Sequence, residues 1–501
     1  MPDGSEIESD VCIVGAGAAG IALARELAAT RLTVCLLESG GLEPDAPTQS
    51  LCRGDNVGLA YYPLEANRQR AFGGTTWLWA GWCRPLDALD FEVRPWVPDS
   101  GWPFEKTELL PFYRRAHAIC DLGPFEYDPA YWQDRLRLSC LPLGDAETVT
   151  KIYQLSPPTR FGAAYRDELT RASNVRVVLY ANVMEIEATE GAAAVTRLRV
   201  GCLGGVRFTA RAGYYVLAAG GIENARLLLL SNRCQPPGLG NANDLVGRYF
   251  MEHLHFPAGA IRLTHAQGAA LAFYRRDGRA AVARLFLPRT TQERDQLLNC
   301  SCKPEPAYWS DRLGLTTTLH RASSAARRLR RLLGREDDQQ RSPARTKLLR
   351  LHHTLEQAPN RDSRVTLSDE RDPLGLRRVR LDWRTTMLDR RTAARAPQLI
   401  GDAFRRAGLG QLEIDPHDGD RAWPPPPLQG LRGHHMGTTR MSLSPRHGVV
   451  DAQCRVHGVA NLFVAGSSVF PTAGAGTPTL TIVALALRLA EHLKTLTGTR
   501  A

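Results

Sequence analysis

The stretch from Asp10 to Glu38 constrains this chain more than any other. "DVCIVGAGAAG" (10–20) runs a β-branched, apolar segment into three glycines, "IALARELAAT" follows with helical periodicity, and "LTVCLLES" forms a second apolar strand ending at Glu38. Strand, glycine turn, helix, strand and acid in that order begin a parallel α/β sheet that holds a dinucleotide. Gly15 allows the tight turn, and Gly17 lets backbone N–H groups approach a pyrophosphate at the helix N-terminus. Gly20 lets helix and strand pack closely, and Glu38, 18 residues further on, can accept ribose hydroxyls. The motif alone does not separate FAD from NAD. No second glycine fingerprint follows a later strand, so one dinucleotide site is expected.

A chain of 501 residues exceeds one compact core and implies about two or three structural units. No apolar run approaches the roughly 18 to 20 residues that span a bilayer. The opening "MPDGSEIESD" is acidic and polar, unlike a secretory signal, so a cytoplasmic location is expected. The net charge of +11 invites a nucleic-acid or membrane reading, but only five of the 63 basic residues are lysine, which looks like a GC-rich coding bias. The arginines are dispersed except in "ARRLRRLLGR" (326–335), which reads as a helix with a solvated basic face. Eleven cysteines without C-x-x-C spacing argue for buried thiols, and no metal-ligand pattern is visible.

"AFGGTTWLWAG" (71–81), "LAAGGIENARLLLLS" (217–231), "VGRYFMEH" (246–253), "EQAPNRDSRVTLS" (356–368) and "NLFVAGSSVFPTAGAGTPTLTIVALALRLAEHL" (461–493) follow the fingerprint in order. Together they resemble the glucose-methanol-choline oxidoreductases. The resemblance implies FAD as cofactor and an α/β fold (α+β overall): a Rossmann-like FAD-binding domain built from discontinuous segments, plus a substrate domain with an antiparallel sheet. Residues 1–85, 175–260 and 430–501 are assigned to FAD binding, and 86–174 with 261–429 to the substrate side and cap. "RVTLS" and "VRLDW" (379–383) alternate as half-exposed strands would, and proline-rich "RAWPPPPLQG" (421–430) marks the return to the FAD domain.

The resemblance also carries over residues. Gly15, Gly17, Ala18, Ala19, Gly20 and Glu38 are expected at the FAD diphosphate and ribose. Gly73, Gly74 and Thr75 match the loop over the flavin, Val183 the backbone at the adenine, and Ala219, within "LAAGGIENARLLLLS", is also expected at the cofactor. Gly466 and Ser467 are expected to close on the pyrophosphate and ribityl chain, with Pro478 beside the isoalloxazine. Several family members attach FAD through a histidine where this chain has Leu78, so the cofactor is expected to be non-covalent.

"GHHMGTTRM" (433–441) contains two adjacent histidines with no carboxylate or cysteine close by. A neutral imidazole, with a reference pKa near 6.5, can accept the proton of an alcohol as its C–H bond weakens. The family spacing H-x-x-G-T selects His434 as that base. His435 would point to the other side of an extended segment. The family usually supplies a second histidine or asparagine before the last proline, where this chain has Thr477. A threonine hydroxyl can hydrogen-bond an alkoxide-like oxygen but is no useful base, so either the substrate oxygen sits deeper or His435 supplies the missing contact.

The expected activity is oxidation of a small-molecule alcohol to an aldehyde or ketone, with oxygen or a quinone-like acceptor completing the cycle. Trp77, Trp79, Tyr308 and Trp309 could stack on a sugar ring, although such residues more often serve core or loop packing. A sugar, aminosugar or polyol hydroxyl suits the family, with antibiotic assembly as one niche. A polycationic aminosugar would need local acids such as "DPHDGD" (415–420). The same fold also supports non-redox lyases and photodecarboxylases, and a flavin-binding electron carrier is a further alternative. Nothing beyond charge suggests nucleic acid.

Overall fold

A computed structural model describes residues 2–144, 146–265, 267–306, 347–414, 423 and 433–499. The basic segment 326–335, Tyr308, Trp309, "DPHDGD" and all but Trp423 of 421–430 lie outside the described residues.

The first sheet grows from the fingerprint. Strands Val34–Leu37 and Arg207–Leu217 flank Glu6–Val14 in parallel, Val175–Val178 extends one edge, and Leu462–Val464 pairs in parallel with Arg207–Leu217. Buried Val, Ile, Leu and Cys fill the centre on both faces, as a covered parallel sheet requires. Val195–Gly201 and Asn182–Ala188 continue it antiparallel beyond Arg207–Leu217. Helix Ala18–Ala28 packs along the C-terminal helix Thr479–Leu496, bringing the two ends of the chain together on one apolar face.

The second sheet has seven strands in the order Gly410–Glu413, Leu254–Leu263, Leu348–Leu355, Cys300–Pro306, Ala281–Phe286, Val149–Leu155 and Trp82–Cys83. All its pairings are antiparallel. Trp82–Cys83 and Leu254–Leu263 come from the margins of segments that the sequence assigned to the cofactor side. Helix Met387–Arg406, started by a capping box between Thr386 and Asp389, covers one face through Ile400 and Phe404. The strands foreseen in "RVTLS" and "VRLDW" form an antiparallel pair, joined in parallel by Gly54–Asn56 as a third sheet. Among the described residues no helix is long and apolar enough to cross a membrane, and no cluster of three or more His, Cys, Asp or Glu could hold a metal.

One ion pair ties the second sheet to the loop after Leu462–Val464. Arg94 and Glu356, both fully buried, meet through two hydrogen bonds of 2.6 and 2.8 Å. Glu356 also accepts from the backbone N–H of Asn299 and of Gly474. That carboxyl stays below the ordinary range because Arg94 and these N–H donors outweigh the burial that opposes them.

Candidate active site

The ends of the first sheet open onto a cavity whose floor is backbone. Gly15 turns at φ 104°, and a Cβ there would lie 2.7 Å from the Ala218 carbonyl oxygen. A Cβ on Gly20 would fall 1.9 Å from the Gly15 oxygen, so only glycine lets the helix sit this close. No side chain caps the first turn of Ala18–Ala28, which leaves its N–H groups to face the cavity at Gly17, Ala18 and Ala19. Glu38, buried at the end of the second strand, accepts from the N–H of Ala16 and Gly40 at 2.8 Å each and also lines the cavity. Burial raises its pKa, and those N–H donors work against the rise.

The roof comes from distant segments. Gly74, at φ 52°, and Thr75 cross over Gly17, and Gly73 is held by its N–H on the Ala16 carbonyl at 2.7 Å. Val183, Ala219, Gly466, Ser467 and Pro478 line the same cavity. Gly20, Gly73 and Thr477 do not line it; the first two shape it from behind. The residues present fit a flavin dinucleotide. Uncapped N–H groups meet the diphosphate, an acid stands where a ribose belongs, and a long crevice passes beneath the Gly74 loop to Pro478.

His434 and His435 stand at the far end of this crevice. The segment carrying them is anchored by backbone: Met436 pairs with Met251, and the Gly437 N–H reaches the Ser467 carbonyl at 3.1 Å. Three neighbours that sequence reasoning did not single out surround His434. His253 Nδ1 lies 2.8 Å from His434 Nδ1, and His253 Nε2 lies 2.8 Å from the Gly474 carbonyl oxygen. The His255 ring centroid is 6.0 Å from that of His434, and its Nδ1 is 3.0 Å from Thr354 Oγ1. Glu252 Oε1 accepts the backbone N–H of both His253 and His434, at 2.8 and 2.5 Å, while Tyr61 donates its hydroxyl to Oε2 at 2.5 Å. Burial raises the Glu252 carboxyl to about 7. One signal for these residues stood in "MEHLHF": histidines two apart beside an apolar strand share a face.

This network assigns tautomers. A carbonyl oxygen only accepts, so His253 carries its proton on Nε2. Burial holds His253 below the ordinary histidine value, so it is neutral and its Nδ1 can only accept. His434 must then donate from Nδ1, which leaves a lone pair on Nε2. Burial, and after it the proximity of His253, His255 and His435, also holds His434 well below the ordinary value.

His435 takes a different place. It is buried against Phe250 and Tyr61, with ring centroids 5.8 and 6.2 Å away, and burial lowers it to about 3. Its backbone carbonyl accepts from Ser467 Oγ at 2.6 Å and passes close to Gly221, where a Cβ would not fit. The Thr477 hydroxyl donates to the Trp82 carbonyl at 2.6 Å. No hydrogen bond among the described residues joins Thr477 to either histidine. Leu78 lines the cavity where some relatives carry a linking histidine. Trp79 lines it too, fixed by Nε1–H to the Thr159 carbonyl, whereas the Trp77 indole N–H is turned onto the Phe72 carbonyl.

A cradle for a dinucleotide ending beside an imidazole with a free lone pair defines a dinucleotide-dependent oxidoreductase. The GMC oxidoreductase model matches residues 359–486. The fructose dehydrogenase large subunit of Gluconobacter japonicus is 25% identical over 563 residues, spanning 97% of this chain and 98% of that protein. Paromamine 6'-oxidase of Streptomyces fradiae is 25% identical over 538 residues, spanning 96% and 90%. In fold, the crystal structure of pyridoxine 4-oxidase from Mesorbium loti matches with a TM-score of 0.57 at 19% identity, over 96% of this chain and 98% of that one. Residues 359–486 thus carry the match to the GMC oxidoreductases, and over nearly its full length the chain is similar to sugar and alcohol oxidoreductases, which supports an FAD-dependent enzyme acting on an alcohol group.

Proposed function

We propose that the protein oxidises a hydroxyl of a sugar- or polyol-like alcohol to the carbonyl, with His434 Nε2 as the acceptor of the hydroxyl proton. FAD, when bound, takes the hydride from the carbinol carbon. The observation that carries the reading is the chain from the Gly474 carbonyl through His253 to His434, which leaves Nε2 without a proton on a residue that lines the crevice. General-base help of this kind is worth roughly 10² to 10⁴ in rate. His255 and Thr354 supply polar groups beside it, and Thr477, engaged with Trp82, acts by holding the loop. Two relatives named for fructose and paromamine support a sugar-like substrate. Leu78 offers no nucleophile, so the cofactor is bound without a covalent link.

The test is anaerobic reduction of the bound flavin, in the dark, by a panel of sugars and polyols. Bleaching by an alcohol separates this reading from lyase, photodecarboxylase and pure electron-carrier functions. His434→Ala is expected to slow reduction by about 10² to 10⁴ while FAD stays bound. An unchanged reduction rate in that variant removes His434 from the chemistry.

A further inference from the structure

The seven-stranded sheet has two faces of opposite character. Ile152, Ala283, Leu285, Cys302 and Leu351 point into an apolar core with Ile400 and Phe404. Side chains alternate along a strand, so Tyr153, Val282 and Phe286 face the other way, where they pack on Ala475 of the segment carrying Thr477. His255 and Thr354, paired across their strands, belong to this second face. It is therefore the wall that looks toward His434.

One step along the wall the chemistry becomes cationic. His352 pairs with Lys303 across their strands, and Arg284, one residue before Leu285, falls beside Lys303, one after Cys302. Two residues of strand, about 7 Å, separate this row from the row of His255, and across the sheet Arg284 stands three strands over from the strand of His255, about 14 Å. Arg284 is only 7% exposed. Its Nη1 donates to the carbonyls of Tyr274 and Ala283, at 3.0 and 2.9 Å, and its guanidinium lies 4.4 Å from the Trp82 ring centroid. Arg276, which is exposed, approaches the same indole at 5.9 Å.

Neither guanidinium has a counter-ion. The nearby carboxylates are engaged elsewhere: Asp277 with Arg275 and Arg279, Glu305 with Lys303 and His352, and Asp87 with Arg84 and Lys151. Among the described residues no ion pair forms to Arg276 or Arg284. The local field is strong enough that burial and the charges of Arg284, Arg275 and Arg276 bring the Lys303 ammonium down to about 8. A nearly buried cation held by carbonyls and an aromatic ring but by no counter-ion is costly unless an anion joins it.

We propose that Arg276 and Arg284, both against Trp82, form a subsite for an oxyanion carried by the alcohol substrate, a carboxylate or a phosphate. Guanidinium forks match such groups through paired N–H donors. The substrate class becomes an acidic sugar or polyol, and a polycationic aminosugar is disfavoured because it meets like charge here. The inference rests on the placement of the reacting hydroxyl at His434.

The first test is calorimetric titration of the FAD-loaded enzyme with inorganic phosphate. Saturable binding is expected, weakened about tenfold by Arg276→Met and by Arg284→Met and largely kept by Arg284→Lys. Glucuronate and glucose 6-phosphate are then compared with glucose in flavin reduction, and whichever acid shows the lower KM identifies the oxyanion. Both methionine variants should erase that preference while leaving glucose unchanged. Absence of phosphate binding to the wild type, or equal binding in the variants, overturns the proposal. Should Arg284→Met fail to hold FAD, the exposed Arg276→Met decides. His434→Ala separates the two readings, because it should bind phosphate normally: full reduction there ends the base assignment and leaves the subsite standing.

Discussion

The crevice floor and the wall opposite it are made of different materials. The floor at Gly15, Gly17 and Gly20 is backbone held close by missing side chains, and a single Cβ at Gly20 would collide with the Gly15 carbonyl. The wall at His253, His255, Arg284 and His434 is side chain, delivered by strands and loops up to 181 residues apart along the sequence. Backbone sites specify a shape that one local motif can encode. Side-chain sites specify a chemistry that only the assembled sheets bring together.

Perturbing the joint between the two regions should have the largest effect on stability. Arg94→Met leaves Glu356 buried without its partner and is expected to cost about 3 to 5 kcal/mol, seen as a lower urea midpoint at unchanged slope. A loss under about 1 kcal/mol would show that floor and wall are not tied through this pair. Next comes the floor. Gly20→Ala forces the helix away from Gly15 and should cost about 1 to 3 kcal/mol, with a matching drop in the flavin absorbance of the purified protein. Full flavin occupancy in that variant would break the contrast drawn above.

The wall should respond in rate and not in cofactor content. His253→Phe removes the acceptor that fixes His434, and flavin reduction should slow by up to about tenfold at normal flavin occupancy. His253→Asn, which keeps an acceptor near the Nδ1 position, should recover most of that loss. Ring-nitrogen NMR of labelled histidine should show the His434 proton on Nδ1 in the wild type and shared between both nitrogens in His253→Phe. The smallest effect is a pH profile that stays level. Because burial keeps His434 below the ordinary histidine value, its proton-free form persists as pH falls through about 6.5, and the reduction rate should hold across that range. A decline centred near 6.5 that persists in Glu252→Gln, which removes the neighbouring carboxyl raised to about 7, would mean that the base is an ordinary, solvated imidazole.

This contrast also explains what the sequence made legible. The parallel sheet, the fingerprint glycines, Glu38 and the C-terminal helix follow from periodicity and glycine spacing within short windows. His434 as the proposed base follows from the family resemblance, whose H-x-x-G-T spacing ends at Gly437 and Thr438. His253 sat in a recognised motif, yet nothing local says that its ring reaches across to position 434 or that its other nitrogen meets Gly474. Thr477 could be flagged as a departure, but its partner, the Trp82 carbonyl, lies 395 residues away and is revealed only by the fold. The two cationic neighbours of Trp82 were invisible for a further reason: in a chain so rich in arginine, composition cannot single out an unpaired one.

The carbonyl of Gly474 has a consequence of its own. It belongs to the loop running from Gly466 to Pro478, both of which line the cofactor crevice, and it is also the group that dictates which nitrogen of His253 is protonated. Seating the yellow prosthetic group and arming the proton acceptor are therefore one event, because a disturbed loop would forfeit both at once. On the proposed reading, a change in this loop should lower flavin occupancy and slow the reduction step together, unlike a change confined to the ring at 253.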